Sequence, residues 1–176
     1  YFIPEGERFI VSANDTLRLE PGAVVRSDDA AEIRVQGSVI SEGLPDKWIT
    51  FTSNWHTRLQ TDDWEGISFQ PQGSTPGIGL FRYTGFTYCV TAVRISADPG
   101  GSEAADCEVD NCYFRSIFGV GVDVSTGKYL ITRNVFNNVP GAVRSIAPDS
   151  IRLEHNIVFS AKNVGIDLQN VDGGSV

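Results

Sequence analysis

Short bursts of alternating apolar and polar residues recur along the chain, separated by Gly, Pro, Asn and Asp. In GVDV at 121–124, for example, Val122 and Val124 are apolar and Asp123 between them is charged. Such alternation is typical of strands with one buried face, and the residues between the bursts favour turns. Long helical patterns are hard to find. The pattern therefore predicts an all-β chain of short strands, with Val122 and Val124 pointing inward and Asp123 outward.

The bursts also recur at a regular spacing. Three of them start 16 residues apart: LRL at 17–19, IRV at 33–35 and ITF at 49–51. Further along, three asparagines are spaced by 23 and then 22 residues: Asn111, Asn134 and Asn156. Short strands at such periods cannot each bury their own apolar face, whereas stacked coils form parallel sheets around one continuous core.

The variable spacing, without a six-residue sub-period, disfavours a left-handed hexapeptide helix. We predict a single-stranded, right-handed parallel β-helix, that is a solenoid, of about seven coils. A β-sandwich also has many short strands, but it would not repeat an Asn at one-coil spacing. We expect one domain over residues 1–176, with a cap and entry at 1–15, short coils at 16–52, and longer coils with loop insertions at 53–176.

The spacing also places side chains in register along the stack. We predict that Asn111, Asn134 and Asn156 form a structural ladder in one turn of successive coils, because Asn side chains bond to turn backbone and tolerate left-handed geometry. One outward position is predicted to hold an alternating charge ladder: Arg94, Asp123, Arg144 and Asp167. Another is predicted to hold Asp110, Arg133 and His155. Opposite charges on neighbouring strands favour a register-fixing role over a catalytic one.

Composition narrows the function classes. The net charge of −8 disfavours nucleic-acid binding, which needs clustered Lys and Arg. No apolar run approaches the roughly 20 residues of a membrane-spanning helix, so we expect no membrane insertion. The three cysteines are compatible with one disulfide and one free thiol or with three buried thiols: Cys89, Cys107 and Cys112.

The N-terminal stretch DTLRLEPGAVVRSDDAAEIRVQGSVISEGLPDKWITFTS, followed by DWEGISF at 63–69, resembles secreted bacterial right-handed parallel β-helix proteins of the pectin-lyase-like type. This resemblance implies the β-helix fold, export to the extracellular space or cell surface, and often a longer parent chain. It does not imply one activity, since such scaffolds carry lyases, glycosidases, adhesins and inactive surface proteins.

The longest early polar excursion, SNWHTRLQTDDWEG at 53–66, is a candidate carbohydrate-binding loop, because aromatic rings stack on sugars and charges orient hydroxyls. Its candidate residues are Trp55, His56, Arg58, Asp62, Asp63, Trp64 and Glu65. Asp62 and Asp63 are also candidate Ca²⁺ ligands, the only cofactor that the sequence suggests. The competing interpretation is a solvated loop whose Trp64 packs under the coil.

These observations favour a structural or adhesive module over an enzyme, and we assign no catalytic residue. The C-terminal LQNVDGGSV offers no cover for the last coil, whose open strand edges favour pairing. We therefore expect self-association through coil ends, or contact with neighbouring domains, giving a stalk or filament. The alternative is a carbohydrate-active protein, either a polysaccharide lyase or glycoside hydrolase-like enzyme or a non-catalytic module that binds polysaccharide.

Overall fold

The computed structural model describes residues 1–54, 63–70, 77–96 and 105–170. Within these ranges the chain forms twenty short strands and no helix. The strands make a parallel β-solenoid of about six turns, close to the predicted seven coils. The prediction of an all-β solenoid is therefore confirmed.

The strands belong to three parallel sheets that run the length of the solenoid. Sheet A consists of β1 (Phe2–Ile3), β4 (Val24–Ser27), β7 (Ile49–Ser53), β10 (Thr84–Thr87), β13 (Tyr113–Arg115), β16 (Val135–Asn137) and β19 (Ile157–Phe159). Sheet B consists of β2 (Arg8–Val11), β5 (Glu32–Val35), β8 (Gly66–Phe69), β11 (Val93–Ile95), β14 (Val120–Val124), β17 (Gly141–Ile146) and β20 (Ile166–Gln169). Sheet C consists of β3 (Thr16–Leu19), β6 (Ser38–Glu42), β9 (Ile78–Arg82), β12 (Asp106–Asp110), β15 (Lys128–Thr132) and β18 (Ser150–Glu154).

One coil contains one strand from each sheet, so each strand pairs with the third strand before and after it in the chain. Val122 of β14, for example, lies between Val93 of β11 and Val143 of β17. We call residues that share such a position a column. Side chains of a column lie about 4.8 Å apart along the solenoid axis.

The interpretation of the early 16-residue spacing as one coil is wrong. The three bursts that it relates lie in three different sheets, in β3, β5 and β7 respectively. Each step of 16 residues therefore advances the chain by two strands rather than by a full coil of three. Alternation alone reports which side chains point inward, and that information is the same for all three sheets.

The inward side chains form one continuous apolar core. Along sheet A four of them are phenylalanines whose rings stack nearly parallel: Phe51, Phe86, Phe114 and Phe136. Their successive centroid distances are 5.3, 5.1 and 4.5 Å, and all four side chains are fully buried. Such offset aromatic contacts add to the free energy of apolar burial.

The corners of the later coils repeat one backbone device. A residue other than glycine adopts the left-handed conformation, with φ between 46° and 58°, at two corners of successive coils: Tyr83, Asn111, Arg133 and His155 after sheet C, and Tyr88, Ser116, Asn138 and Ser160 after sheet A. In all of them except His155 and Ser160, which belong to the last described coil, the amide donates to the next coil, as Arg133 N–H does to the Glu154 carbonyl at 2.9 Å. These hydrogen bonds offset the local strain of the left-handed backbone.

Candidate functional site

The predicted charge ladder occupies one outward column of sheet B. Arg94 pairs with Asp123, Asp123 with Arg144, and Arg144 with Asp167, in the register that the sequence spacing predicts. Asp123 accepts a 2.8 Å hydrogen bond from Arg144 Nε and lies 4.0 Å from Arg94 Nε. The hydrogen bond to Asp123 raises the pKa of the Arg144 guanidinium. The carboxylate is therefore committed to two neighbouring cations and holds the strands in register.

The second predicted charge column is wrong in its register. Asp110 shares its column with Thr132 and Glu154, whereas Arg133 and His155 lie one residue further on, at the left-handed corner. Arg133 still reaches back to Asp110, with a 2.6 Å distance from Nη2 to Oδ1. The ion pair is thus real, but it is diagonal rather than directly across the strands.

Asp110 collects the most hydrogen bonds of the outward carboxylates on sheet C. Its carboxylate accepts from Thr132 Oγ1 at 2.7 Å and from Asn111 Nδ2 at 2.9 Å, in addition to the Arg133 pair. Burial acts to raise the pKa of Asp110, but the hydrogen bonds from Arg133, Thr132 and Asn111 outweigh it and hold the pKa below its usual range. A carboxylate held in its charged form by neighbouring coils stabilises the stack and is a poor general acid.

The predicted asparagine ladder exists, but Asn111 is not part of it. Asn134 and Asn156 occupy one column, and the Asn134 Nδ2 donates to Asn156 Oδ1 at 3.0 Å. The preceding member of the column is Cys112, whose backbone N–H donates to Asn134 Oδ1 at 2.8 Å across 22 residues. Asn111 lies one residue earlier, in the left-handed corner. The spacing of 23 residues between Asn111 and Asn134 reflects this offset of one residue.

Each ladder asparagine also bonds to the coil before it. Asn134 Nδ2 donates to the Val109 carbonyl at 2.9 Å, and Asn156 Nδ2 donates to the Ile131 carbonyl at 2.7 Å. Asn134 is completely buried. These bonds satisfy backbone groups that the corner would otherwise leave unpaired inside the protein. The side-chain amides of both ladder residues are thus used in bonds between coils.

The candidate carbohydrate-binding loop is only partly described by the structure. Trp55, His56, Arg58 and Asp62 lie outside the described residues. Trp64 is completely buried, its ring centroid is 6.2 Å from that of Phe51, and its Nε1 donates to the Thr87 carbonyl at 3.3 Å. The prediction that Trp64 stacks on a sugar is therefore wrong, and the competing prediction that it packs under the coil is confirmed. Asp63 is half-buried and Glu65 is exposed.

A cleft of about 440 Å³ begins beside Asp63, at the corner between sheets A and B. Its lining combines aromatic rings with hydrogen-bonding groups: Asp63, Tyr88, Ser116, Ile117, Phe118, Asn138, Pro140 and Lys162. Phe118 is 47% exposed. Asp63, which belongs to the motif that led to the loop prediction, thus borders a concave surface whose other residues come from four later coils.

Across the described residues, no group of three or more His, Cys, Asp or Glu is placed to hold a metal ion. Of the two Ca²⁺ candidates, Asp62 lies outside the described residues and Asp63 stands at the edge of the cleft. The three cysteines are free and buried, so of the two alternatives drawn from the sequence the structure has three buried thiols.

The two ends of the described stack differ from its middle in what they expose. At the C-terminal coil, Ile166 is 43% exposed, whereas Val143, its partner one coil earlier, is 1% exposed. At the N-terminal coil, Phe9 is 45% exposed, whereas its partner Ile33 is 1% exposed. Residues 1–15, predicted as cap and entry, contribute β1 and β2, the first strands of sheets A and B. Within the described ranges, the strands of both end coils pair on one side only.

The ends also carry one aromatic pair that the sequence analysis does not predict. Phe2 and Phe159 lie in the same outward column of sheet A, at opposite ends of the stack. The sequence carries a signal for Phe159, which stands three residues after Asn156. The equivalent residue one coil earlier, three residues after Asn134, is the polar Asn137.

Comparisons with protein-family models, with curated proteins and with solved structures found no match for the chain. The fold is therefore the class that the structure defines: an all-β protein built as a parallel β-solenoid. In the described ranges we find no helix of the length and apolarity that crossing a bilayer requires.

Proposed function

We propose that this chain is a structural or adhesive module of the extracellular space or cell surface, which stacks end to end into a stalk or filament. The observation that carries the proposal is the C-terminal coil. Its interior columns reach the end of the described stack with Leu153, Val158 and Leu168 only partly buried and Ile166 exposed. A further coil of the same geometry covers these side chains and pairs the free edges of β18, β19 and β20.

The middle of the solenoid suits such a role. The outward charges on sheet B alternate in sign along the axis, and the asparagine ladder joins three successive coils. These contacts give length and rigidity without gathering like charges into a reactive cluster. The resemblance of the N-terminal half to secreted β-helix proteins of the pectin-lyase-like type supports a location outside the cell.

The test is light scattering of the 176-residue chain over a wide concentration range, with Ile166→Lys as the disrupting variant. Ile166 lies on the end coil, and a lysine there puts a charge on the proposed contact. Ile146→Lys is the matched control, because Ile146 lies in the same sheet one coil earlier and is 42% exposed against 43% for Ile166. We expect the mean mass to rise with concentration for the natural chain and the control, and to stay monomeric for Ile166→Lys. A monomer at all concentrations for the natural chain contradicts the proposal.

Carbohydrate binding is the second candidate function, favoured by the cleft beside Asp63. The rings of Tyr88 and Phe118 offer apolar faces, and Ser116, Asn138 and Lys162 offer hydrogen-bonding groups around them. Affinity electrophoresis against a panel of neutral and acidic polysaccharides tests it. Retardation that is lost in Phe118→Ala and kept in Trp48→Ala, an exposed aromatic outside the cleft, supports the site. Equal mobility of all three chains on every polysaccharide contradicts it.

A further inference from the structure

The outward column of sheet A that holds Phe2 and Phe159 is polar everywhere between them. Its members, in order along the stack, are Phe2, Arg26, Thr52, Thr87, Arg115, Asn137 and Phe159. Phe2 is 55% exposed and Phe159 is 45% exposed. Single exposed apolar residues are ordinary, but two aromatic residues at the two ends of one column are positioned to meet if one stack continues into another.

The interior columns match at the same register. When sheet A is continued so that Phe159 faces Phe2, Val158 faces Tyr1, because Tyr1 precedes Phe2 as Val158 precedes Phe159. Continuing sheet B along its own columns sets Ile166 against Phe9 and Leu168 against Val11. Ile166 and Phe9, both exposed at their own ends, thereby cover each other. The partly buried Val158 and Leu168 are covered by the exposed Tyr1 and by the buried Val11. This burial of apolar surface is the driving force for association.

We infer that the partner of the C-terminal coil is the N-terminal coil of a second copy of this chain, stacked head to tail in the register that places Phe159 beside Phe2. This inference rests on the proposed function and adds to it the partner, the polarity and the register. Because a head-to-tail contact uses two different surfaces, it repeats without closing and produces rods of any length.

Sheet C leaves a gap in this contact. Sheets A and B each have seven strands, whereas sheet C has six. When β1 of the second copy continues sheet A beyond β19, its β3 therefore lies two strand spacings beyond β18, about 9.6 Å away instead of about 4.8 Å. Among the described strands only those of sheets A and B pair across the junction, and we therefore expect the association to be reversible.

The register can be tested by disulfide trapping between two single-cysteine variants, Phe2→Cys and Phe159→Cys. The natural cysteines are all buried, so the introduced thiols are the accessible ones. Facing residues of neighbouring parallel strands lie about 4.8 Å apart, within the range of about 4.4 to 6.8 Å between Cα atoms that a disulfide spans. A mixture of the two variants, oxidised mildly, should yield a dimer with one cysteine from each, identified by mass spectrometry of the linked peptides.

The outcomes separate the inference from the proposed function. Dimers joined only through Phe159→Cys on both copies, or rods that form without a mixed disulfide, mean that the module assembles in another polarity or register and overturn the inference alone. Monomers that never associate overturn both. Each variant is first compared with the natural chain by circular dichroism.

Discussion

Phe114 and Phe136 stack face to face inside the solenoid, with ring centroids 4.5 Å apart and ring planes inclined by 10°. They belong to consecutive coils and are fully buried. Phe114→Ala removes a ring between Phe86 and Phe136 and leaves a cavity, so we expect the free energy of unfolding to fall by about 3 to 5 kcal/mol. Urea denaturation followed by circular dichroism measures it. Phe118→Ala, which removes a half-exposed ring at the corner after β13, should change the free energy of unfolding by no more than about 0.5 kcal/mol.

The asparagine ladder gives a prediction that depends on the register found in the structure. Asn134→Ala leaves the Cys112 N–H and the Val109 carbonyl without their partner inside the protein. We expect it to lower the free energy of unfolding by about 2 to 4 kcal/mol, since each unpaired buried group costs about 1 to 3 kcal/mol. Asn111→Gly keeps a left-handed corner and should cost less than about 1 kcal/mol. Equal losses of unfolding free energy in the two variants would contradict a ladder that excludes Asn111.

The pH dependence of stability should carry the signature of Asp110. Hydrogen bonds from Arg133, Thr132 and Asn111 outweigh burial and lower the pKa of this carboxyl in the folded chain. A lowered folded pKa contributes stability above the unfolded value, near 3.8, and that contribution disappears as the pH falls through the folded pKa. Urea denaturation between pH 2 and 6 should show this loss in the natural chain.

In Asp110→Asn the acid loss of stability should be shallower over the same pH range, because the titrating group is absent. Asp46→Asn, in the exposed turn between β6 and β7, is the control and should follow the natural curve. Identical acid slopes for the natural chain and Asp110→Asn would show that the Asp110 cluster does not contribute.

The three thiols should be unreactive in the folded protein. Burial raises the pKa of Cys112 to about 12 and raises the pKa of Cys89 and Cys107 as well, so little thiolate exists at pH 8. A thiol-specific chromogenic reagent should react with none of them in buffer and with all three in denaturant. Ser150→Cys, at an exposed position of β18, supplies a positive control that reacts at once. Fast reaction of a natural thiol in buffer would contradict the packing around it.

Two buried hydroxyls have different surroundings, so their removal should have different effects on the free energy of unfolding. Ser145 Oγ is buried without a hydrogen-bond partner in the described part of the chain, whereas Ser41 Oγ lies 2.9 Å from Thr84 Oγ1. Ser145→Ala should leave the free energy of unfolding unchanged or raise it by up to about 1 kcal/mol, because no bond is lost. Ser41→Ala should lower it by about 1 kcal/mol. Thermal denaturation of the two variants, measured beside the natural chain, distinguishes these outcomes.

The sequence was sufficient for the fold class because inward and outward residues alternate without interruption in nearly every strand. It was also sufficient for the sheet B charge ladder, since Asp123, Arg144 and Asp167 are separated by close to one coil. It failed where a shift of one residue, or of one sheet, leaves the alternation intact. The separation of Asn111 and Asn134 exceeds one coil by one residue. The early bursts at 17–19, 33–35 and 49–51 belong to three different sheets.

The alternation of apolar and polar residues does not report how exposed an inward side chain is at the end of the stack. Ile166 and Val143 occupy the same inward position, but among the described residues only Val143 is covered by a following strand, and only Ile166 is exposed. Trp64 shows the same limit in the opposite direction. Its sequence neighbours are polar, yet the ring is packed against Phe51 inside the stack.

Negative-stain electron microscopy of the chain at increasing concentration tests the central claim most directly, namely that the solenoid extends itself through its end coils. Head-to-tail stacking predicts unbranched rods that keep the width of one solenoid and lengthen with concentration. They should disappear in Ile166→Lys. Particles that keep the length of a single solenoid at every concentration would contradict the claim.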